Sequence, residues 1–354
     1  MYRNIYVESE VLRYPRVKEI LARYTDASIV TCDRYTEIFN LKSQDFRLQK
    51  KQPALILARK HSGYIQQAPA GYGVGGDHNF YFSTMLNCLY DCRYCFLQGM
   101  YRSANHVVFV NYEDFSSALL KTAARFEKDE QVWFFSGYDC DSLALEPVLG
   151  MAEYFIETVS SSQNVWLELR TKSTQIRSLL SRPSHPNIVT AFSFTPATIS
   201  EQIEHQVPGV EKRLAAMLRL QEQGWSVGLR FDPLIYSHNF REEYQDLFNL
   251  LFMSLNPDLI HSISIGVFRL PKDFYKQLER LYPDDRFIAQ PFHSRNRQVS
   301  YPLNIELEMK SWCYKQIQEH IEKKKIFFAE ISVPDSGIEN IKSSVTESDA
   351  QKVG

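Results

Sequence analysis

Net charge is almost absent from this chain: 40 Lys and Arg stand against 42 Asp and Glu, leaving −2. So even a balance counts against strong non-specific binding to a polyanion, which depends on many cation–phosphate contacts. The tail carries Asp335, Glu339, Glu347 and Asp349 against Lys342 and Lys352, so the body without it is neutral. A neutral body can still present a basic stripe. The densest candidate runs from Arg47, Lys50 and Lys51 to Arg59, Lys60 and His61, and reads equally as a solvated face or a phosphate track. Long hydrophobic runs are also missing. No stretch reaches the roughly 18 apolar residues of a membrane-spanning helix, and Met1–Glu8 lacks the apolar centre of a secretory signal. Cysteine is scarce, with six in 354 residues.

Half of those six cysteines fall within eight residues, in Cys88-Leu-Tyr-Asp-Cys92-Arg-Tyr-Cys95. Three thiolates on one short loop can hold three irons of a [4Fe–4S] cube and leave the fourth iron open. An open iron suits a cluster that binds and reduces a small molecule instead of relaying electrons. A structural zinc would want a fourth ligand. The nearest Cys or His outside the triplet are His78 and His106. Unpaired thiols and an exposed cluster both favour a reducing, cytoplasmic setting. His61, His78, His106, His205 and His238 share no metal-ligand spacing and read as structural or surface residues.

Strand-like and helix-like segments alternate along the chain. Asn79–Thr84 reads as a strand leading into the cysteine loop. Phe115, Leu119, Ala123 and Phe126 mark an amphipathic helix, and Gln131–Ser136 is a strand buried on both faces. A helix is expected from about Glu146, then strand Val165–Thr171, helix Thr174–Leu180 and strand Ile188–Phe194. A helix follows with Val210, Leu214, Met217 and Leu218 on one face, ended by Gly224. Trp225–Phe231, a helix around Glu242–Met253, and Ile263–Phe268 complete the series. Such alternation implies an α/β fold with a parallel sheet and helices outside it. Its catalytic groups belong at the C-terminal ends of the strands, where Lys172 and Ser193 fall. The tail from Val333 is polar and aperiodic, and is expected to be disordered. Gly71-Tyr-Gly73-Val-Gly-Gly76 fits G-x-G-x-x-G formally, but it precedes a strand and opens no helix. That context removes its nucleotide-binding mechanics.

The C-x3-C-x-aromatic-C loop resembles that of the radical S-adenosylmethionine (SAM) enzymes. Continued as Cys95-Phe96-Leu97-Gln98, it resembles the loop of spore photoproduct lyases, which split a methylene-bridged thymine dimer in DNA. Ile5-Tyr6-Val7-Glu8, Tyr14-Pro15, Leu169-Arg170-Thr171-Lys172, Phe192-Ser193 and Asp232-Pro233-Leu234-Ile235-Tyr236 are similar in kind and order. The resemblance implies a partial (β/α)6 radical SAM barrel with N- and C-terminal extensions. Residues 1–75 would pack on a barrel of 76–270, with a C-terminal region at 271–332 and the tail at 333–354. It implies a [4Fe–4S] cluster on Cys88, Cys92 and Cys95, with Tyr94, Lys172 and Ser193 against SAM. It also implies a pyrimidine lesion in DNA as substrate and an electron donor such as flavodoxin or ferredoxin.

The hydrogen donor is where the chain departs from those enzymes. They carry a cysteine at the end of the strand that here runs into Ser136-Gly137-Tyr138-Asp139-Cys140-Asp141. An ungapped reading puts Tyr138 there and Cys140 two residues on. Either could return hydrogen to the product, or both in relay, or neither. Phe96 stands where those enzymes carry tyrosine, so a relay through that phenol is in doubt. Two rival readings remain: a radical SAM enzyme with another substrate, and a non-catalytic protein whose cysteine loop holds a structural metal for nucleic-acid binding.

Overall fold

The computed structural model describes residues 2–329, and the tail expected to be disordered lies outside the described residues. The alternating segments build one large curled sheet, a half-barrel. From one edge its strands run Ile326–Phe328, Ile260–Val267, Ser226–Leu234, Ile188–Ser193, Val165–Thr171, Val132–Ser136, His78–Tyr81 and Gln66–Gln67. All neighbours are parallel except the last pair. The six strands from His78–Tyr81 to Ile260–Val267 follow chain order, as the sequence pattern requires of right-handed strand–helix repeats. Every residue of Val132–Ser136 is buried, which is why that strand reads as an unbroken apolar run. Ile326–Phe328 extends the sheet beyond the repeats; it is three residues long and follows a run of lysines, so it has no periodic signal.

The helices depart from expectation in two places. The one expected from Glu146 is two pieces, Glu146–Leu149 and Met151–Ser160, parted by Gly150 at φ 58°. The one expected from Thr174 starts only at Arg177. Before it, Thr171 and Ser173 hydroxyls accept from the Ser173 and Gln175 amides, offering the backbone partners that a helix would otherwise supply. Helix Val210–Glu222 ends as its sequence suggests, with Gly224 at φ 77°.

A second sheet was not legible in the sequence. Ser28–Cys32, Asn4–Glu8, Leu55–Ala58 and His106–Phe109 lie side by side in parallel, and Met85–Leu86 runs antiparallel at the edge. Ile5, Val7, Leu55, Leu57 and Val107 are fully buried between it and its surroundings. This sheet positions the cysteine loop. The chain leaves the half-barrel at Tyr81, lays Met85–Leu86 on the edge of the second sheet, forms the loop and re-enters that sheet at His106, so the sheet holds both ends of the loop.

Candidate active site

Cys88, Cys92 and Cys95 border one cavity of about 490 Å³ at the C-terminal mouth of the half-barrel, as do Tyr94, Tyr138, Cys140, Lys172 and Ser193. The loop that carries the three cysteines is fixed from every side. Asn87 enters it in the left-handed region, φ 68°, and its amide donates to the Ser103 and Asn105 carbonyls at 2.7 and 2.8 Å. Asp91 and Cys92 pair antiparallel with His205 and Glu204. Arg93 bonds Asp91 at 2.9 Å and Asp285 at 3.1 Å while lying over the Tyr282 ring. Gly99 lets the short helix Leu97–Met100 press on helix Lys272–Leu281. A β-carbon there would stand 2.4 Å from the Phe274 carbonyl oxygen.

Beneath the loop are two groups that the sequence did not reveal. Lys50, from the supposed basic stripe, turns inward and donates to the Cys88 and Tyr90 carbonyls at 3.4 and 3.1 Å, with Asp91 at 3.9 Å. His106 is buried, and its Nε2 lies 3.1 Å from the Cys88 carbonyl oxygen. A carbonyl only accepts, so Nε2 carries the proton and Nδ1 accepts from the Tyr2 hydroxyl at 2.6 Å. Burial, then the nearby Lys50 charge, pushes the His106 pKa down to about 3, so the ring is neutral.

The cysteine set fits an open cluster. Among the described residues no three Cys, His, Asp or Glu side chains converge where a single ion could sit. The cavity wall holds no histidine and one further thiol, Cys140. Burial pushes the thiol pKa values of Cys88, Cys92 and Cys95 up, so bound iron must supply the charge that keeps them as thiolates.

Tyr94, Lys172 and Ser193 are joined by a buried network. The Tyr94 hydroxyl donates to Glu204, which also takes Ser200 at 2.6 Å and Arg213 at 3.0 Å. Lys172 Nζ lies 3.9 Å from Glu204 and 5.5 Å from the centre of the Tyr94 ring. Arg213 reaches on to the Ser193 carbonyl at 2.7 Å. The Glu204 and Arg213 side chains are fully buried. Burial pushes the Glu204 carboxyl up, but Arg213 and Lys172 outweigh it and hold the pKa below the usual range. Sequence reading found the three cavity residues separately and missed the pair that connects them. Nothing local marks Glu204, which pairs with Cys92 across 112 positions of chain by folding alone.

Tyr138 and Cys140 reach the cavity on a turn, not on an extended strand. The strand ends at Ser136, and Gly137 at φ 80° swings the chain aside. Asp141 then gathers the segment: its carboxylate accepts from the Thr171 hydroxyl and the amides of Lys172, Leu143 and Ala144, all within 2.9 Å. Tyr138 stacks on Tyr81 at 4.3 Å and meets Tyr72 and Phe96 at 5.5 and 5.6 Å. Cys140 is buried, and burial pushes its thiol pKa well up, keeping the S–H bond intact. Below this wall, Glu168 takes Arg230 at 2.6 Å and Arg170 at 2.9 Å. Burial raises the Glu168 carboxyl, yet Arg230 and Arg170 win and hold it near a pKa of about 2.

A cysteine triplet at the C-terminal mouth of a partial parallel barrel defines the architecture of a radical SAM enzyme. A family model described as spore photoproduct lyase matches residues 1–328, and the chain belongs to that family. The spore photoproduct lyase of Bacillus subtilis (strain 168) is 21% identical over 327 residues, spanning 89% of this chain and 91% of that protein. Two solved structures share the fold. A spore photoproduct lyase complexed with dinucleoside spore photoproduct has TM-score 0.78 and 18% identity, covering 93% of this chain and 98% of its own. A variant with bound AdoMet and dinucleoside spore photoproduct has TM-score 0.80 and 17% identity, covering 94% and 99%.

Proposed function

We propose that this protein splits spore photoproduct, or a closely similar thymine dimer in DNA, by radical SAM chemistry. The observation that carries this reading is that the cluster cysteines and the Tyr138–Cys140 turn border one cavity. Cys88, Cys92 and Cys95 would hold the cluster, with Lys172 and Ser193 at the methionine end of SAM and Tyr94 near its adenine. Bound there, cluster and SAM would supply one-electron radical chemistry able to take hydrogen from the lesion. The chain's own residues do the rest. Glu204 and Arg213 hold Lys172 and Tyr94 in place, so the carboxylate of SAM meets an oriented ammonium. The enclosing aromatic rings exclude water that would quench a radical.

Once the cross-link opens, hydrogen must return to the product. Cys140 and Tyr138 both line the cavity, which supports either as the donor. The S–H bond is the weaker of the two, and Cys140 is kept protonated by burial. A dimer stacked in a duplex cannot enter this cavity, so the lesion would be extruded, which its weakened pairing makes less costly. A small electron donor such as flavodoxin or ferredoxin, and a cytoplasmic setting that keeps the thiols reduced, belong to the same proposal. Among the described residues no helix is long and apolar enough to cross a membrane. The test is anaerobic reconstitution with iron and sulfide, then incubation with SAM, reductant and dinucleoside spore photoproduct. Release of 5′-deoxyadenosine and thymine is expected; SAM cleavage with no thymine release would leave the radical chemistry standing and remove the substrate.

A further inference from the structure

Arg170 is the cation of the cavity wall that the reading above leaves without a task. It belongs to a group in which three guanidiniums, Arg170, Arg230 and Arg269, face two carboxylates, Glu168 and Asp232. Arg230 is fully buried and spends its nitrogens on Glu168, the Leu229 and Ser262 carbonyls and the Ser262 hydroxyl. Arg269 is matched by Asp232 at 2.9 Å. One positive charge is therefore left over. Arg170 gives Glu168 only its Nε. Its two terminal nitrogens make no hydrogen bond among the described residues, and neither is sealed from solvent. The guanidinium lies 4.4 Å over the Tyr72 ring, which fixes its plane, and it borders the cavity.

A guanidinium held by one edge with its other edge open is a fork for an oxyanion. Two anions could enter this cavity: the carboxylate of SAM, or a phosphodiester of the substrate. Position separates them. Lys172 lies beside Tyr94 and Glu204, on the side of the cluster loop. Arg170 lies on Tyr72, whose ring meets Tyr138 of the proposed donor wall in a T-shaped contact. The two cations are two residues apart at one strand end, about 7 Å along an extended chain, so one serves each anion. We propose that Arg170 binds the phosphodiester that links the two nucleosides of the lesion, and so sets a preference for the dinucleotide over the dinucleoside. This rests on the proposed function and adds a specificity-determining residue to it.

The test compares three ligands on the reconstituted, SAM-loaded protein: dinucleotide spore photoproduct, its uncharged methylphosphonate analogue, and the dinucleoside form. Affinity is read by equilibrium binding and turnover by thymine release. The dinucleotide is expected to bind at least about tenfold tighter than either uncharged form, the scale of one charge-assisted hydrogen bond. Arg170→Gln should collapse that ratio towards one while SAM affinity holds. Arg170→Lys, which keeps the charge and loses the fork, should retain a reduced ratio, and it decides the matter if the Gln variant does not fold. Equal affinities in the wild type, with thymine released from both forms, overturn the assignment and leave the lyase reading intact. A ratio that survives in folded Arg170→Gln, or a loss of SAM affinity in its place, overturns it as well. If no form is bound or split, the lyase reading falls and takes this inference with it.

Discussion

On the proposed cofactor wall Tyr94, Lys172 and Ser193 are tied together through a carboxylate and a guanidinium with no exposed surface; on the proposed donor wall Tyr138 packs against the rings of Tyr81, Tyr72 and Phe96. The difference is physical. A buried ion pair tied by several hydrogen bonds resists change, because one partner removed leaves the other charged and unsolvated. Stacked rings about 5 Å apart tolerate sliding and substitution at a cost of about 1 kcal/mol. A wall that must grip the same SAM molecule in every turnover can be rigid. A wall proposed to meet the lesion can drift, and there Phe96, which has no phenol, packs against Tyr138, which has one.

The largest effect separates the cluster loop from everything else. Cys92→Ala should lose the cluster and all SAM cleavage, read as iron content and 5′-deoxyadenosine. Cys32→Ser and Cys313→Ala, at buried thiols remote from the cavity lining, should keep both. Cys313 is wholly buried, so its loss should lower stability by about 1 kcal/mol without touching iron. Full iron and SAM cleavage in Cys92→Ala would remove the basis of the comparison.

On the donor wall the expected loss is of product alone. If Cys140 returns the hydrogen, Cys140→Ala should cleave SAM at the wild-type rate, release little thymine and accumulate radical adducts. If Tyr138 is the donor, Tyr138→Phe should show that pattern and Cys140→Ala should repair normally. Similar losses in both would mark a relay, since residues acting as a unit are non-additive.

Smaller again is the effect of loosening the cofactor wall. Lys172→Ala should weaken SAM binding by about ten- to a hundredfold, the range of one charge-assisted hydrogen bond, with iron content unchanged. Glu204→Gln should weaken it too, and should also destabilise the fold by about 3–5 kcal/mol by stranding Arg213. A stable Glu204→Gln with normal SAM affinity would show that the buried pair positions nothing.

How much of this was legible in advance follows the same divide. Cysteine spacing and strand ends are local properties, so a shared position for the triplet, Lys172 and Ser193 could be read directly, and so could the six strand–helix repeats, whose periodicity each segment carries within itself. Glu204 and Arg213 could not, because their meaning lies in contacts with Tyr94 and Ser193 made across the fold. The second sheet escaped for a similar reason: Leu55–Ala58 and His106–Phe109 are four residues each, too short to show a period, and they pair across the cysteine loop. Tyr138 and Cys140 lie beyond the strand, which Gly137 breaks. Both reach the cavity through the Asp141 turn instead.

Lys50 offers the finest test, because sequence and structure disagree about it. Composition puts it in a basic stripe beside Arg47 and Lys51, which are exposed; the fold turns it beneath the cluster loop, its side chain 12% exposed. An ammonium that donates to the Cys88 and Tyr90 carbonyls has two consequences. It ties the loop down with bonds worth about 1.5–3 kcal/mol together with their charge. It also places a positive charge beside a cluster that gains a negative one on reduction, which makes reduction easier. Lys50→Met should therefore assemble a cluster with normal iron content and bind SAM within about threefold of wild type, well under one charge-assisted bond. Its midpoint potential, followed by redox titration of the reduced-cluster signal, should fall. Lys51→Met, next to it and exposed, should leave the potential where it was. Equal potentials in all three proteins would mean that Lys50 only braces the loop. In that case the hold of Lys50 on the cluster loop would be mechanical, with no electrostatic influence on the iron.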